Sequence, residues 1–484
     1  MRYLSLTIAR LLLPFCLMCA SAVSCGDFLP DERAVWLRDA LIAENQALLE
    51  RAPELVEQKF SLMASEPYRY MRGTAGIFWR DLQRPSPLYG FEWLQVEGEA
   101  AGVLLVGDPH PENVGTFRTR DGRLVLGFND FDACTWGPFT GDVQRLVLAW
   151  QLAWLQAAPD AAGALVADFA IVILDAYTAR MTERVSDFSN RVYDTEYVDG
   201  AIALDLFERA TRDGDAQEAL NEYAPLVGES RVLRRGDIEE RAAFWFEDTL
   251  VDVSPLERRM VEFLLATTEK PLETGAVLDV VRRLGAGVAS YPVLRYYALV
   301  DGPTTSPDDD VLLELKETLN PVPAVSPVRL PAQPIPSNAG RAIWAQNSLY
   351  PDITLDEWAT SSIAGAMSFR VRERTSYQKG FDVARLGSRL QSGRWTHEDA
   401  LQFAATTAEM LADAHANSPQ PTAAPGAVAS AIVRSLSDPG AQLELLEWAA
   451  YARGELLDDA RRFVEMREQF GDDLGYRSSQ TRNR

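Results

Sequence analysis

The spacing of apolar positions changes several times along the chain. Between 31 and 64, Leu37, Leu41, Leu48, Leu49 and Leu55 recur at helical intervals, which predicts a helix with one buried face. An aromatic-rich stretch, "EPYRYMRGTAGIFWRDL", follows. From Phe91 to Asp132 the runs shorten and alternate: "FEWLQVEG", "GVLLVGD" and "VGTFRTRDGRLVLGFND". The Asp121–Gly122 pair inside the last of these predicts a tight hairpin, because both positions of such a turn favour residues that tolerate positive φ. Helical spacing returns over 140–188, beginning "DVQRLVLAWQLAWLQAA", and is expected to continue with breaks to about Arg283.

A second β-rich region then begins with "RRLGAGVASYPVLRYYALVDG" and continues to the apolar strand "VLLELKE". The segment 320–340, "NPVPAVSPVRLPAQPIPSNAG", is a Pro-rich connector with little capacity for helix or central strand. Helices are expected again from Leu355 to about Phe470, including "ALQFAATTAEMLADAHANS", before a frayed tail at 476–484. The pattern predicts an α+β chain in three stretches. A helical part with a loop-rich hairpin covers 31–275, a β-rich lobe 276–345, and a helical remainder 346–475.

The first 24 residues stand outside this fold. Arg2 and Arg10 precede or flank "LLLPFCLMCASAV", an apolar run of secretory length that ends at Ser24–Cys25. A small residue directly before Cys is similar to a bacterial lipoprotein cleavage site, with Cys25 as the lipidated first residue, although "ASA" at 20–22 equally suits ordinary signal peptidase. Export, periplasmic or anchored to a membrane through lipid, is the expectation. Cys16 and Cys19 would leave with the leader, so Cys134 would remain as a single thiol with no disulfide to form.

The 484 residues carry a formal charge of −23, which cleavage before Cys25 would deepen to −25 by removing two arginines. Nucleic-acid binding needs a basic footprint to displace counterions, so that class is set aside in favour of a small-molecule substrate.

Candidate chemistry concentrates at "GDPHPEN" (107–113) and "NDFD" (129–132). An apolar strand delivers Asp108 to its carboxyl end, and Pro109 and Pro111 force an irregular loop that offers side chains to a ligand. The hairpin can return Asp130 beside Asn113. Two carboxylates about 4 Å apart repel by roughly 4 kcal/mol at an effective dielectric near 20. A hard divalent cation removes that cost, and an amide oxygen, a carboxylate, waters and phosphate oxygens form a set that magnesium accepts. Asp108, left off the metal, would hold the proton of an attacking hydroxyl. His110 is counted with this loop, either holding it through a backbone hydrogen bond or filling space. Asp132 either takes a second metal or caps the following turn.

"GDPHPENV" resembles the catalytic loop of the aminoglycoside-phosphotransferase and choline-kinase branch of the protein-kinase-like fold. "FNDFDACTWGPFTGDVQRLVLA" resembles its metal loop and the helix after it. Together, "FSLMASEPYRYMRG", "GDPHPENVGTF" and "NDFDACTWGPFTGDVQRL" resemble the bacterial family DUF2252. The resemblance implies a two-lobed fold with Mg2+ and ATP as cofactors. It implies Asp108 as the base-like Asp, Asn113 and Asp130 as metal ligands, and Asp142 as a buried support for the loop, with Arg72 also in a supporting role.

Parts that ordinarily precede the catalytic loop come after it here. "LGAGVAS" carries Gly285 and Gly287 in a resemblance to a phosphate-cradling turn, and Lys316 sits on a later strand. "EMLADAHANS", with His415, resembles the helix that leads into the catalytic loop. A circularly permuted kinase-like fold accounts for this order. One part is missing. The helix "GRAIWAQNSLY" offers Trp344 and Gln346 where a Glu should pair with the lysine, and Glu317 should face away, so either another acid such as Glu357 pairs with it or the site is degenerate. Arg72, Arg372 and Lys379 are additional cations that would suit an anionic substrate.

Two other classes stay open: an exported kinase-shaped binding protein without catalysis, and a metal hydrolase using Asp108, His110, Asp130 and Asp132. Three histidines in the whole chain weigh against zinc. Nothing in the residues specifies the acceptor.

Overall fold

The computed structural model describes residues 32–83, 102–119, 121–214, 216–237, 249–272, 275–323, 337–350, 359–375, 377–419, 424–470 and 474. The leader with Cys25, the run 91–98, most of the Pro-rich connector, Glu357 and the tail lie outside the described residues.

The expected first helix is two helices, α1 (Glu32–Arg51) and α2 (Pro53–Ser65). Proline lacks the N–H that would continue a helix but suits a first turn, so Pro53 ends one and opens the next. The aromatic stretch that follows forms α3 (Pro67–Gly73) and α4 (Ala75–Asp81). Leu37, Leu41 and Leu48 of α1 pack with Phe60 and Met63 of α2 and with Phe463 of the last helix.

Next, β1 (Val103–Leu105) pairs with β4 (Thr135–Gly137). Between them β2 (Val114–Arg118) and β3 (Leu124–Phe128) form the expected hairpin, with Val114 opposite Phe128 and Gly122 at φ 86° in its turn. Then come α5 (Phe139–Ala157), α6 (Ala162–Glu183), α7 (Ala201–Arg212), α8 (Ala216–Tyr223) and the small hairpin β5 (Leu226–Val227) and β6 (Ser230–Arg231). Helix α5 is buried nearly all round.

The main sheet is antiparallel and larger than its sequence signal. Its strands are β7 (Gly236–Asp237), β8 (Thr249–Asp252), β9 (Val277–Leu284), β10 (Arg295–Val300), β11 (Val311–Glu317), β12 (Ala359–Ala364) and β13 (Met367–Glu373), in the order β12-β13-β11-β10-β9-β8-β7. Helix α9 (Pro255–Ala266) follows β8, and α10 (Asn338–Leu349) precedes β12. Two expectations are corrected here: strands occur before 276, and the described residues after Leu355 begin with a β-hairpin at Ala359 and not a helix. "SFRVRE" alternates apolar and charged residues, and Gly365 at φ 63° makes the turn, so strand pairing satisfies both faces.

That alternation gives the sheet two chemically different sides. Tyr296, Ala298, Val300, Leu313, Leu315, Phe369 and Val371 pack together with Val261 and Leu264 of α9. The intervening Arg295, Lys316, Arg370 and Arg372 point the other way and line a cavity.

The remaining helices are α11 (Val383–Gln391), α12 (His397–Ala416), α13 (Ala427–Leu436) and α14 (Pro439–Phe470). Helix α12 starts with a Thr396–Asp399 capping box and packs on α5 and α6, where the Trp150 indole donates to Thr407 Oγ1 at 3.0 Å and its ring stacks on Phe169. Just past its end, Ser418 Oγ accepts a hydrogen bond from Leu104 N of β1 at 2.8 Å, so the helix stops where β1 begins in space. Among the described residues no helix is long and apolar enough to cross a membrane.

Candidate functional site

Strand β1 hands the chain to Gly107 at φ 87°, where an added Cβ would lie 2.3 Å from the Ala133 carbonyl oxygen. Only glycine lets the 107–113 loop pass that close to the 130s loop. Fully buried Asp142 of α5 accepts from the Val106 and Gly107 N–H groups at 2.7 and 3.0 Å. His415 Nε2 lies 3.2 Å from the same carboxylate, and its Nδ1 lies 2.7 Å from Tyr177 Oη. The Trp79 indole N–H donates to Gly107 O at 2.7 Å. The geometry therefore places Asp142 under the loop backbone and His415 under Asp142.

Asp108 is met by Arg145, a fully buried arginine one helical turn beyond Asp142, whose Nε donates to Oδ1 at 2.8 Å. Burial pushes the Asp108 carboxyl above its ordinary value against the pull of Arg145 and Arg72, and Asp130 adds to the rise. His110 Nε2 is 3.8 Å from Asp108 Oδ2. Burial, with Arg72 and Arg145 nearby, pushes this imidazole well below its usual range, so it is neutral at pH 7. The His110 carbonyl accepts from Asn113 N at 2.9 Å, closing the 3-10 turn at Pro111–Asn113. Arg72 pairs with Glu112 of the same loop, and Glu112 also accepts from Val383 N at 3.1 Å.

Asn113 donates its amide to Asp108 O at 3.0 Å, and its backbone carbonyl accepts from Asn129 N at 2.9 Å. That bond sets Asn113 beside the residue before Asp130. Across the cleft, the Lys316 ammonium lies 3.0 Å from Asp130 Oδ2 and 2.6 Å from Asp132 Oδ2. Burial alone would raise the Asp130 carboxyl, but Lys316 and Arg370 outweigh it and hold the acid below its usual range. Asp132 Oδ1 is buried without a hydrogen-bond partner. The orphaned Asp132 oxygen and the Asp130 carboxylate are the acidic oxygens here that could serve a hard cation such as magnesium. Among the described residues no three His, Cys, Asp or Glu side chains gather as a metal cage.

Arg341 of α10 donates to Asp132 O at 2.9 Å and to Leu319 O at 3.1 Å, and also bonds Cys134 O, tying the 130s loop to the sheet. Burial pushes the Cys134 thiol up to about 11. Glu317 pairs with Arg51 of α1, on the side of the strand away from the cleft. Lys379 pairs with Asp213 at 2.8 Å, and Arg372 with Glu314 at 2.8 Å.

The glycine turn stands apart from this group. Gly285 and Gly287 have φ of 87° and 81°, as a sharp turn between β9 and β10 requires, but Val288, Tyr291 and Val293 just after them pack into the α1, α2 and α14 cluster. Neither glycine lines the cavity beside Lys316. Sequence reasoning missed Arg145, Arg341, Glu112 and Arg370. Two of them carried a signal: Arg145 is a charge inside an otherwise apolar helix, and Arg370 alternates with Phe369 and Val371.

A family model described as an uncharacterized protein conserved in bacteria (DUF2252) matches residues 51–465. No curated protein and no solved structure matches the chain.

Proposed function

The chain belongs to the DUF2252 family, and from that premise we propose a magnesium-dependent transfer of a phosphoryl or other ATP-derived group to a small-molecule acceptor. One observation carries the reading: Lys316, projecting from the sheet, meets Asp130 and Asp132 on the loop that follows the Asn113 turn. Phosphotransfer sites need a lysine for the nucleotide phosphates and an acid for the metal across one cleft.

Element order supports a kinase-like scaffold. Counted from β9, the chain runs strand, glycine turn, strand, then a third strand with the lysine, a helix, two strands, the short helix α11 and α12. Ser418, directly after α12, bonds β1, which leads into Asp108, Asn113 and the metal loop. On this reading the parts of a kinase would follow each other in space, with the chain entering the circle at a different point. Asn113, Asp130 and Asp132 would hold the ion. When bound, magnesium would offset the charge on the phosphate oxygens. Asp108 would take the acceptor hydroxyl proton, with its orientation fixed by Arg145. Export with a lipid on Cys25 is the location we propose.

A second reading, a binding protein without turnover, is favoured by the Arg145–Asp108 pair, which draws on the would-be base. Purified protein titrated with Mg-ATP separates the two. Stabilisation that disappears in Asp130→Asn, with turnover lost but binding kept in Asp108→Asn, supports transfer. Nucleotide turnover unchanged in both variants removes it. A protein that responds to another ligand and not to ATP is the binding protein.

A further inference from the structure

The cavity between the sheet and the segment 378–380 is about 210 Å³ and carries six cations: Arg295, Lys316, Arg370, Arg372, Arg374 and Lys379. This is unexpected in a chain of charge −23. Three of them share one cross-strand row, with Arg295 opposite Lys316 and Lys316 opposite Arg370. Directly opposed like charges destabilise a sheet. Within the protein the row is only partly compensated. Lys316 faces Asp130 and Asp132, while the single carboxylate Glu314 serves both Arg295 at 3.2 Å and Arg372 at 2.8 Å. Burial alone would raise the Glu314 carboxyl, yet the surrounding arginines hold it well below its usual range. The Arg370 guanidinium is buried at 4% exposure with an orphaned Nε, and among the described residues its charge is met only by the field of Asp130, which Lys316 already shares. A buried guanidinium with an unfilled donor and a shared counter-charge is costly unless an anion completes it.

The opposite wall offers little to a nucleobase. Thr116 uses Oγ1 to donate to Tyr377 O at 2.7 Å and to accept from Lys379 N at 2.9 Å, and Thr116 N donates to Lys379 O at 2.9 Å. The backbone N–H of Thr116 and both backbone polar groups of Lys379, which would otherwise read a base edge, are thus already paired. Drug-sized ligands fill roughly 300–1,000 Å³, so the space suits a short phosphate chain better than a whole nucleotide.

We infer that this cavity binds a linear phosphate chain, so that the phosphates of a nucleoside triphosphate, and not its base, enter between the sheet and segment 378–380. This deepens the nucleotide reading above and rests on it for the identity of the donor, but the anion site itself does not. Bidentate guanidinium–phosphate contacts supply the recognition.

The full chain is titrated calorimetrically at fixed ionic strength, without metal, with sodium tripolyphosphate, and separately with adenosine. Tripolyphosphate should bind and should raise the apparent Kd for ATP, whereas adenosine should do neither. Arg370→Met should weaken tripolyphosphate at least tenfold, with Arg370→Lys in between. Lys379→Met at the cavity mouth should weaken it less, which keeps the test open if Arg370→Met fails to fold. Adenosine that competes with ATP while tripolyphosphate does not would overturn the inference, as would unchanged tripolyphosphate affinity in the folded variants. If Mg-ATP binds and tripolyphosphate does not, only the cavity assignment falls. If tripolyphosphate binds and magnesium leaves ATP binding unaffected, the metal-dependent reading falls and the anion site stands.

Discussion

At the residue scale, the cluster around Asp108 was legible where its contacts are local in the chain and hidden where a partner is distant. Asp108, Asn113 and Asp130 stand on one loop and one hairpin, so turn chemistry alone brought them near each other. Arg145 lies 37 residues from Asp108, and nothing short of the folded helix shows that the two meet. A charge on a helix buried all round does imply a partner, but not which one. Arg145 also donates to Met71 O at 2.7 Å, so it joins the 107–113 loop to α3. Arg145→Met would leave the Asp108 carboxylate buried and uncompensated, which costs about 3–5 kcal/mol in comparable pairs. Denaturant unfolding should show that loss. The double variant Asp108→Asn/Arg145→Met should be less destabilised than the sum of the single variants, by about 1–3 kcal/mol. Additive values would mean that the arginine stabilises through α3 and not through the acid.

At the element scale, strong turn signals were read well and two-sided strands were not. The Asp121–Gly122 hairpin formed as expected, whereas β12 and β13 fall in a stretch expected to be helical, because β12 is short and polar and Arg370 and Arg372 break the apolar run of β13. Those arginines face the cleft, so the residues that disguised the strand are ones that function can use. A similar conflict occurs in the N-terminal helices. Lys59 is buried in α2 and donates to Asn45 Oδ1 of α1 at 2.8 Å. Burial lowers its ammonium from an ordinary 10.5 to about 8, with Glu44 opposing. The folded value lies below the unfolded one, so between pH 8 and 10.5 the unfolded chain holds more protons. Stability should therefore rise as pH climbs through that window, and below pH 8 the buried charge costs about 3 kcal/mol. Lys59→Met should stabilise the protein at pH 7 and flatten that rise. Equal unfolding midpoints for variant and parent across the window would show that Lys59 reaches water.

At the scale of the whole molecule, the chain's entry point is separable from the arrangement of its parts. Arg33 in α1 pairs with Asp81 of α4 at 2.6 Å and with Asp459 of α14, and Leu37 packs near Phe463, so the two ends of the described chain lie together. From Asp459 to Phe470 helix α14 extends roughly 16 Å further at 1.5 Å per residue. A flexible joint of about ten residues spans that return at ~3.3 Å each. Cutting between Leu272 and Gly275 would then place β9, the glycine turn and the lysine strand first, and Asp108 and Asp130 afterwards. No sheet pairing inside β9–β13 is cut, although β8 would reach β9 from the far end of the chain. If the kinase-like order holds in space, this rearranged chain should keep the parent's far-UV circular dichroism and its response to Mg-ATP. It should fold more slowly, because the β8–β9 contact becomes distant in sequence and its loop-closure cost grows. An insoluble or unfolded product would show that the 266–277 connection is needed to build the sheet. In that case, the order of parts along this chain would itself be a requirement of folding.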